Sequence, residues 1–166
     1  MTTTEEWRAI PGYEDAYEVS DQGRVRSLER LNARGRRQQA KMLSPRRTTR
    51  DHLAVAMYSD AQRADFQVHA LVLMVFVGPC PDGLEGCHRN DDPSDNRLTN
   101  LRWDTRSSNV LDSVRNGTHY MARRTHCPSG HPYTAENTYQ YPKGNRACRE
   151  CRTRARQQRH AARKAA

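Results

Sequence analysis

Cys87-His88 is followed by Asn100 twelve residues past the histidine and by Asn109 nine residues further on. The frame around them reads GLEGCHRNDDPSDNRLTNLRWDTRSSNV, from Gly83 to Val110. An imidazole can take a proton from water near neutral pH. Asparagine carbonyls and a cysteine sulfur can hold a cation or brace a loop. An apolar strand ending at Trp103 lies between the asparagines, and the whole pattern suggests a compact metal-assisted nuclease site. A second group, Cys127-x3-His131 and Cys148-x2-Cys151 with sixteen residues between the pairs, has the ligand set of a tetrahedral structural zinc site. His126 is a substitute ligand for that set.

Elements must bring these residues together. Tyr17 to Val19 and Arg24 to Leu28 read as short strands separated by an Asp21-Gln22-Gly23 turn, and Lys41 to Ser44 as another. Leu31 to Gln39 is basic and poor in apolar residues and reads as an exposed loop; Arg46, Arg47 and Arg50 form a second basic loop. His52 to Tyr58 alternates as a strand with Leu53, Val55 and Met57 on one face, and Asp65 to Val68 pairs back after a turn at Asp60 to Arg63. His69 to Val77 (HALVLMVFV) is apolar throughout and stops at Gly78-Pro79, which predicts a buried helix. Then come a strand ending at His88, a turn-rich loop from Asn90 to Asn96, a strand at Leu101 to Trp103, and a helix from about Ser107 to Asn116. Thr105 or Ser107 caps that helix and Gly117 ends it. Tyr139, Tyr141 and the Pro142-Lys143-Gly144-Asn145 turn predict a hairpin, and Cys148-x2-Cys151 opens a basic helix.

Composition limits the partners. The 166 residues carry 28 Lys and Arg against 19 Asp and Glu, a formal charge of +9. The stretch from Arg146 to Lys164 holds eight basic residues and one acid, so it supplies most of that excess. Such a charge attracts polyanions, with duplex DNA the expected partner. At 35% hydrophobic there is material for one small core with appendages. The longest apolar run is too short to span a bilayer, so no membrane partner is expected. The start MTTTEEWRAI lacks the features of a signal peptide, which places the protein in the cytoplasm, the host cell's if it is phage-encoded. Five cysteines in a reducing compartment point to metal or chemistry rather than disulfides. No heptad or apolar patch announces an oligomeric state.

VHALVLMVFVGP followed by GCHRNDDPSDNRLTNLRWDTRSSN resembles the catalytic motif of HNH endonucleases of the ββα-metal type, especially the phage and homing branch. EEWRAIPGYEDAYEVSDQGRVRSL resembles the NUMOD4 module that often precedes them. The C-terminal knuckle, hairpin and helix resemble a treble-clef zinc finger. The resemblance implies an α+β protein in three parts: a strand-rich DNA-binding module over 1–60, a ββα-metal nuclease core over 61–118, and a zinc finger with an Arg-rich helix over 119–166. It implies that His88 is the general base and that Asn109 and Cys87 hold one divalent metal. It implies too that Asn100 bonds across the loop and fixes the two strands.

The metal would be Mg²⁺, Mn²⁺ or a softer transition ion. Cys87 departs from the oxygen donors that suit Mg²⁺, so either the ion is softer, Cys87 is a weak ligand, or its thiol is a buried apolar group. His69 either touches DNA or serves the structure, the latter being preferred. Arg89 beside the base is a candidate phosphate clamp, with Arg102 and Arg106 near the same site. Arg24 and Arg26 either face a phosphate backbone or form an ordinary solvent face. Arg149, Arg152 and Arg156, with Arg159, would contact backbone from the last helix. The implied activity is metal-dependent hydrolysis of duplex DNA, one strand nicked per site. The rival is a non-catalytic zinc-containing DNA-binding protein with a degenerate nuclease site.

Overall fold

The computed structural model describes residues 4–31, 35–59, 62–142 and 145–165. It is an α+β chain whose described residues fall into two compact units, one running to Asn116 and the other starting at Gly117. The strand-rich module and the nuclease segment expected at 1–60 and 61–118 lie together in the first.

That unit opens with β1 (Trp7–Ala9), β2 (Tyr17–Ser20) and β3 (Val25–Ser27), which pair antiparallel in order. The predicted exposed loop after them is partly strand: β4 (Arg30–Leu31) pairs with β5 (Arg37–Gln38), with Arg37 in an ion pair to Glu29 at 2.7 Å. Residues 32–34 of that loop lie outside the described residues. β6 (Lys41–Met42) completes the first sheet beside β3. Arg46 and Arg47, expected in a loop, form β7 (Arg46–Arg47) at the edge of β8 (Leu53–Ser59), which pairs in turn with β9 (Gln62–Gln67). Backbone pairing with β8 needs only a free edge, and a basic edge strand discourages further pairing. Arg46 also reaches Asp65 across the sheet at 3.1 Å. Residues 60 and 61 of the predicted turn lie outside the described residues.

Helix α1 (Val68–Phe76) follows directly. Val68, Leu71, Val72 and Leu73 are buried, while Met74, Val75 and Phe76 pack partly against the same core. A helix apolar on every face must be covered on every face. Ile10, Tyr17, Val19 and Val25 of the first sheet, Val55 and Met57 of β8, and Leu101 beyond supply that cover. Each such side chain contributes about 1.5–3 kcal/mol when fully buried. The helix ends where the amides of Val77 and Gly78 both donate to the Leu73 carbonyl, with Gly78 at φ 123°.

The hook comes next: β10 (Glu85–His88), a loop, a 3-10 turn over Leu98–Asn100, β11 (Leu101–Asp104) and α2 (Arg106–Arg115). β10 and β11 pair antiparallel with Cys87 opposite Arg102 and His88 opposite Leu101. Trp103 Nε1 donates to the Gly78 carbonyl at 3.1 Å, pinning β11 to the end of α1. The second unit holds the short α3 (Tyr120–Arg123), the hairpin β12 (Thr138–Gln140) and β13 (Arg146–Cys148), and the long α4 (Arg149–Ala165). Residues 143 and 144 of the predicted hairpin turn lie outside the described residues. Among the described residues no helix is long and apolar enough to cross a membrane.

Gly23, in the turn between β2 and β3, links the first sheet to the hook. Its φ is +76°, and a Cβ there would lie 2.7 Å from both Cβ and O of Asn96. Gly12 has a similar φ of +80° with open space around it. Gly12→Ala should cost roughly 1–2 kcal/mol from backbone strain alone. Gly23→Ala should cost at least about 1–3 kcal/mol more, because backbone must also move. Thermal or urea denaturation of the two variants measures the difference. Equal losses would mean that the turn does not press on Asn96.

Candidate active site and metal centre

His88 ends β10 with its ring buried, because Gly86 two residues earlier and the first turn of α1 leave room on that face. Its Nε2–H donates to Asn96 Oδ1 at 3.2 Å, and Asn96 Nδ2 in turn donates to the Ser94 carbonyl at 3.1 Å. The second bond fixes the orientation of the Asn96 amide, so the first fixes the tautomer of His88. Nδ1 is left as the ring's lone-pair nitrogen. Asn96 is itself held from behind by Gly23, and the Leu98 amide donates to the Asp21 carbonyl at 2.8 Å.

Asn100 lies buried under the loop. Its Oδ1 accepts from the Asn90 amide at 3.2 Å, while Nδ2 donates to Asn90 Oδ1 at 2.9 Å and to the Asp95 carbonyl at 2.8 Å. The Arg89 amide donates to the Asn100 carbonyl at 2.8 Å. Three of these bonds cross between the strand ends, and all four together close the loop on itself. From α2, Asn116 Nδ2 donates to the Arg89 carbonyl and to Asp91 Oδ2, at 2.8 and 3.1 Å.

Helix α2 starts at Thr105, whose Oγ1 accepts from the Ser108 amide at 3.2 Å, the cap expected from sequence. Its first turns carry Asn109, whose Nδ2 donates to Glu85 Oε1 at 3.0 Å. That bond occupies the amide nitrogen and leaves the carbonyl as the free end. Asn109 and His88 line one cleft of about 200 Å³ together with Arg50, His52, Gly86, Asp91 and Pro93.

Cys87 does not line it. Its side chain is 1% exposed and its Sγ donates to the Glu85 carbonyl at 3.5 Å. Burial, then the neighbouring Glu85 carboxylate, push the thiol up to about 11, with Arg102 opposing. Arg102 itself pairs with Asp104 at 2.7 Å and with Asp112, so this expected DNA contact is spent inside the hook. Hydrogen bonds from Arg102, then Ser108 and the Thr105 amide, hold Asp104 down to about 2. Arg24 and Arg26 are likewise paired, with Glu5 and with Glu18 (2.6 Å for the latter), and both lie over the Trp7 ring. Arg89 and Arg106 are exposed.

Three functional neighbours escaped the sequence reading: Asn96, Glu85 and His52. Each is an ordinary polar residue in a turn, at a strand start or before a strand, and only the fold brings it to the site. His52 and His88 stack with ring centroids 5.7 Å apart, and His69 lies 4.9 Å from the first and 5.0 Å from the second. Burial, then the charges of His88 and His52, lower His69 to about 4.

In the second unit Cys127, His131, Cys148 and Cys151 converge. Cys127 Sγ lies 3.7 Å from Cys151 Sγ and 3.5 Å from His131 Nδ1, which is 3.2 Å from Cys151 Sγ and 3.7 Å from Cys148 Sγ. A tetrahedral ion with Zn–S near 2.3 Å and Zn–N near 2.0–2.1 Å needs sulfurs about 3.8 Å apart and nitrogen about 3.5 Å from sulfur. The set therefore fits such an ion. His131 Nε2 meets Glu150 Oε1 at 3.1 Å, a carboxylate that would hold the ring for ligation through Nδ1. His126 stays outside the cluster, its Nδ1 bonded to Thr125 Oγ1 at 3.0 Å. Beside the cluster a groove of about 710 Å³ runs between hairpin and helix, lined by Tyr139, Tyr141, Arg149, Arg152, Arg156 and Arg159 among others. The Arg152 guanidinium sits 3.8 Å from the Tyr139 ring centroid.

Comparisons with known proteins agree with this geometry. Residues 5–57 match the model of the NUMOD4 motif and residues 66–111 that of the HNH endonuclease family. The chain is 31% identical over 113 residues to the DNA endonuclease I-HmuI of Bacillus phage SP01, an alignment covering 68% of this chain. It spans only 60% of that relative's length. A solved structure on DNA binding and cleavage by the HNH homing endonuclease I-HmuI superposes with a TM-score of 0.56 at 26% identity. That superposition covers 86% of this chain and 76% of the other.

The lowered His69 sets an acid response. Its folded value near 4 lies below the ordinary 6.5, so the unfolded chain binds the proton first. Stability of the first unit should fall as pH drops from about 6.5 towards 4, by up to roughly 3 kcal/mol from this group, and level off below. Urea midpoints across that range in wild type and His69→Gln test it; an unchanged slope in the variant would remove His69 as the cause.

Proposed function

We propose, for a chain whose residues 66–111 are an HNH endonuclease segment behind a NUMOD4 motif, that it hydrolyses phosphodiester bonds of duplex DNA with a divalent metal, nicking one strand per site. The observation that carries this reading is the shared cleft of His88 and Asn109. Base and ligand stand on one hook, close enough to serve one phosphate.

His88 is the general base. Asn96 accepts from Nε2, so Nδ1 takes the proton as the water oxygen bonds to phosphorus. The bond from phosphorus to the 3′ oxygen breaks on the opposite side, and the departing oxygen ends protonated from solvent. Asn100 is the loop brace that keeps His88 at this place. The donors around the cleft fit an oxygen-seeking ion: Asn109, whose amide nitrogen is taken by Glu85, and Asp91 both line it. Such an ion, Mg²⁺ or Mn²⁺, supplies Lewis-acid stabilisation of the charge developing on the phosphate. Cys87, expected as the other protein ligand, fits less well, because its buried thiol resists ionisation.

Structural Zn²⁺ is the ion proposed for Cys127, His131, Cys148 and Cys151. Arg89 and Arg106 are the candidate phosphate contacts of the first unit. Arg149, Arg152 and Arg156 are those of the second, whose helix carries one acid, Glu150, against its many arginines. Arg24 and Arg26 would contact DNA only by leaving their glutamates. The compartment would be the cytoplasm of the cell in which the DNA is cut.

The raised Cys87 favours one rival, a DNA-binding protein with a spent metal site. Plasmid nicking with a series of divalent ions separates the two readings. His88→Ala should lower nicking by at least about 10²-fold while leaving a gel shift unchanged. Equal behaviour of both proteins with every ion leaves the non-catalytic reading standing. Cys87→Asp should raise Mg²⁺-supported nicking if position 87 is a ligand, and leave metal preference unchanged if it is only core.

The zinc reading has its own check. Chelation should unfold the region after Gly117 and leave the melting of the first unit in place, since a structural zinc contributes folding free energy only to the segment it closes. Loss of the whole cooperative transition would contradict that division.

A further inference from the structure

We infer that His52, His69 and His88 form a third cation site, the second suited to a borderline transition ion such as Zn²⁺, and that filling it arrests the base. One ring nitrogen from each residue lies within 4.8 Å of the other two. The three come from separate elements: His52 just before β8, His69 in the first turn of α1 and His88 at the end of β10. β8, α1 and β11, the strand paired with β10, contribute to one core, so the convergence follows from the fold.

Two further observations point to a ligand. Nδ1 of His52 and Nδ1 of His69 are buried and have no hydrogen-bond partner among the described residues. A buried ring nitrogen without a partner is unfavourable, and ligation or a bridging water would offset that cost. Space is also reserved. A Cβ on Gly86 would lie 2.8 Å from His69 Cδ2 and 3.3 Å from Nε2, so only glycine lets that ring edge approach β10.

The chemistry selects the ion. Imidazole suits Zn²⁺, Co²⁺ and Ni²⁺, whereas Mg²⁺ and Mn²⁺ prefer the oxygens of Asn109 and Asp91. A tetrahedral ion at 2.0–2.1 Å needs nitrogens about 3.3 Å apart, so the rings would turn inward by up to about 1.5 Å. A fourth position would open to the cleft that His52 and His88 line. With one His88 nitrogen donating to Asn96 and the other on the ion, the ring has no lone pair left for water. Arrest therefore rests on the reading of His88 as base; binding does not.

Equilibrium dialysis of the full-length protein against Zn²⁺, with Mg²⁺ in excess, tests binding directly. Wild type should hold two zinc ions per chain, and His52→Gln and His69→Gln one each. With Co²⁺, the first equivalent should give thiolate charge-transfer bands and the second only ligand-field bands. A single ion in wild type, a second ion with thiolate bands, or two ions retained in both variants would overturn the proposal. Thermal melts show whether His69→Gln still folds; the less buried His52→Gln carries the test if it does not. In Mg²⁺-supported nicking, Zn²⁺ should inhibit wild type at least tenfold and His52→Gln far less. If no nicking occurs at all, the endonuclease reading has failed, while the stoichiometry still decides the site.

Discussion

The structure of the first unit depends on the burial of α1, enclosed from Val68 to Leu73 and packed partly against the same core in its last turn. A nine-residue helix without a polar face cannot lie at a surface. It forces the N-terminal sheet onto one side and the hook onto another, in one core that includes Ile10, Val19, Met57 and Leu101. Two segments with separate family models thereby share one apolar core. The consequences reach the chemistry. The turn at Gly23 presses on Asn96, Asn96 holds His88, and three histidines distant in sequence meet beside the cleft.

The two units handle charge differently. In the first, acids answer bases: Glu5 and Glu18 hold Arg24 and Arg26, Asp65 holds Arg46, Asp95 holds Arg97, and Asp104 and Asp112 hold Arg102. Except at Arg102, which is largely buried with both its acids, the arginines of these pairs are exposed, and such pairs contribute little stability. Their effect is to quench the local field and fix side-chain positions. Among the described residues of the second unit, the one ion pair of an α4 arginine joins Arg154 to Glu150, whose carboxylate also serves His131. Long-range attraction for a polyanion would therefore come chiefly from the last helix.

What could be read from the sequence was what local rules encode. The continuous apolar run gave α1, the Thr105 cap and Gly117 gave the limits of α2, and the paired spacing of Cys127, His131, Cys148 and Cys151 gave the metal cluster. Asn100 and Asn109 followed from their distance to His88. Residues whose role is a tertiary contact were not legible. Asn96 looks like one more turn residue, Glu85 like a strand start, and His52 like a surface histidine before β8. The partners of Arg24 and Arg26 lie before β1 and on β2, and Arg102 joins Asp104 of its own strand to Asp112 of α2, so only the i+2 pair within β11 could be suspected from spacing. The pairing of β4 with β5 was hidden too, because short polar strands carry no apolar alternation.

Donor chemistry then separates the ions that one chain would hold. Sulfur is concentrated in the second unit, where three cysteines and one histidine stand at tetrahedral distances. Asn109 and Asp91 bring oxygen donors to the lining of the cleft, and His52 and His88 line it next to His69. Cys87 would mix these classes if its sulfur reached the cleft, drawing a soft ion to a place where a hard one serves phosphoryl transfer better. The strand prevents this by alternation. Residues 86 and 88 face the histidines, whereas Cys87 shares the opposite face with Glu85, among Arg102, Asp104 and Asp112. Burial raises the Cys87 thiol and keeps its sulfur off the cleft that His88 and Asn109 line. A cysteine at this position is therefore compatible with hard-ion catalysis so long as the Asn109 carbonyl remains oriented by Glu85.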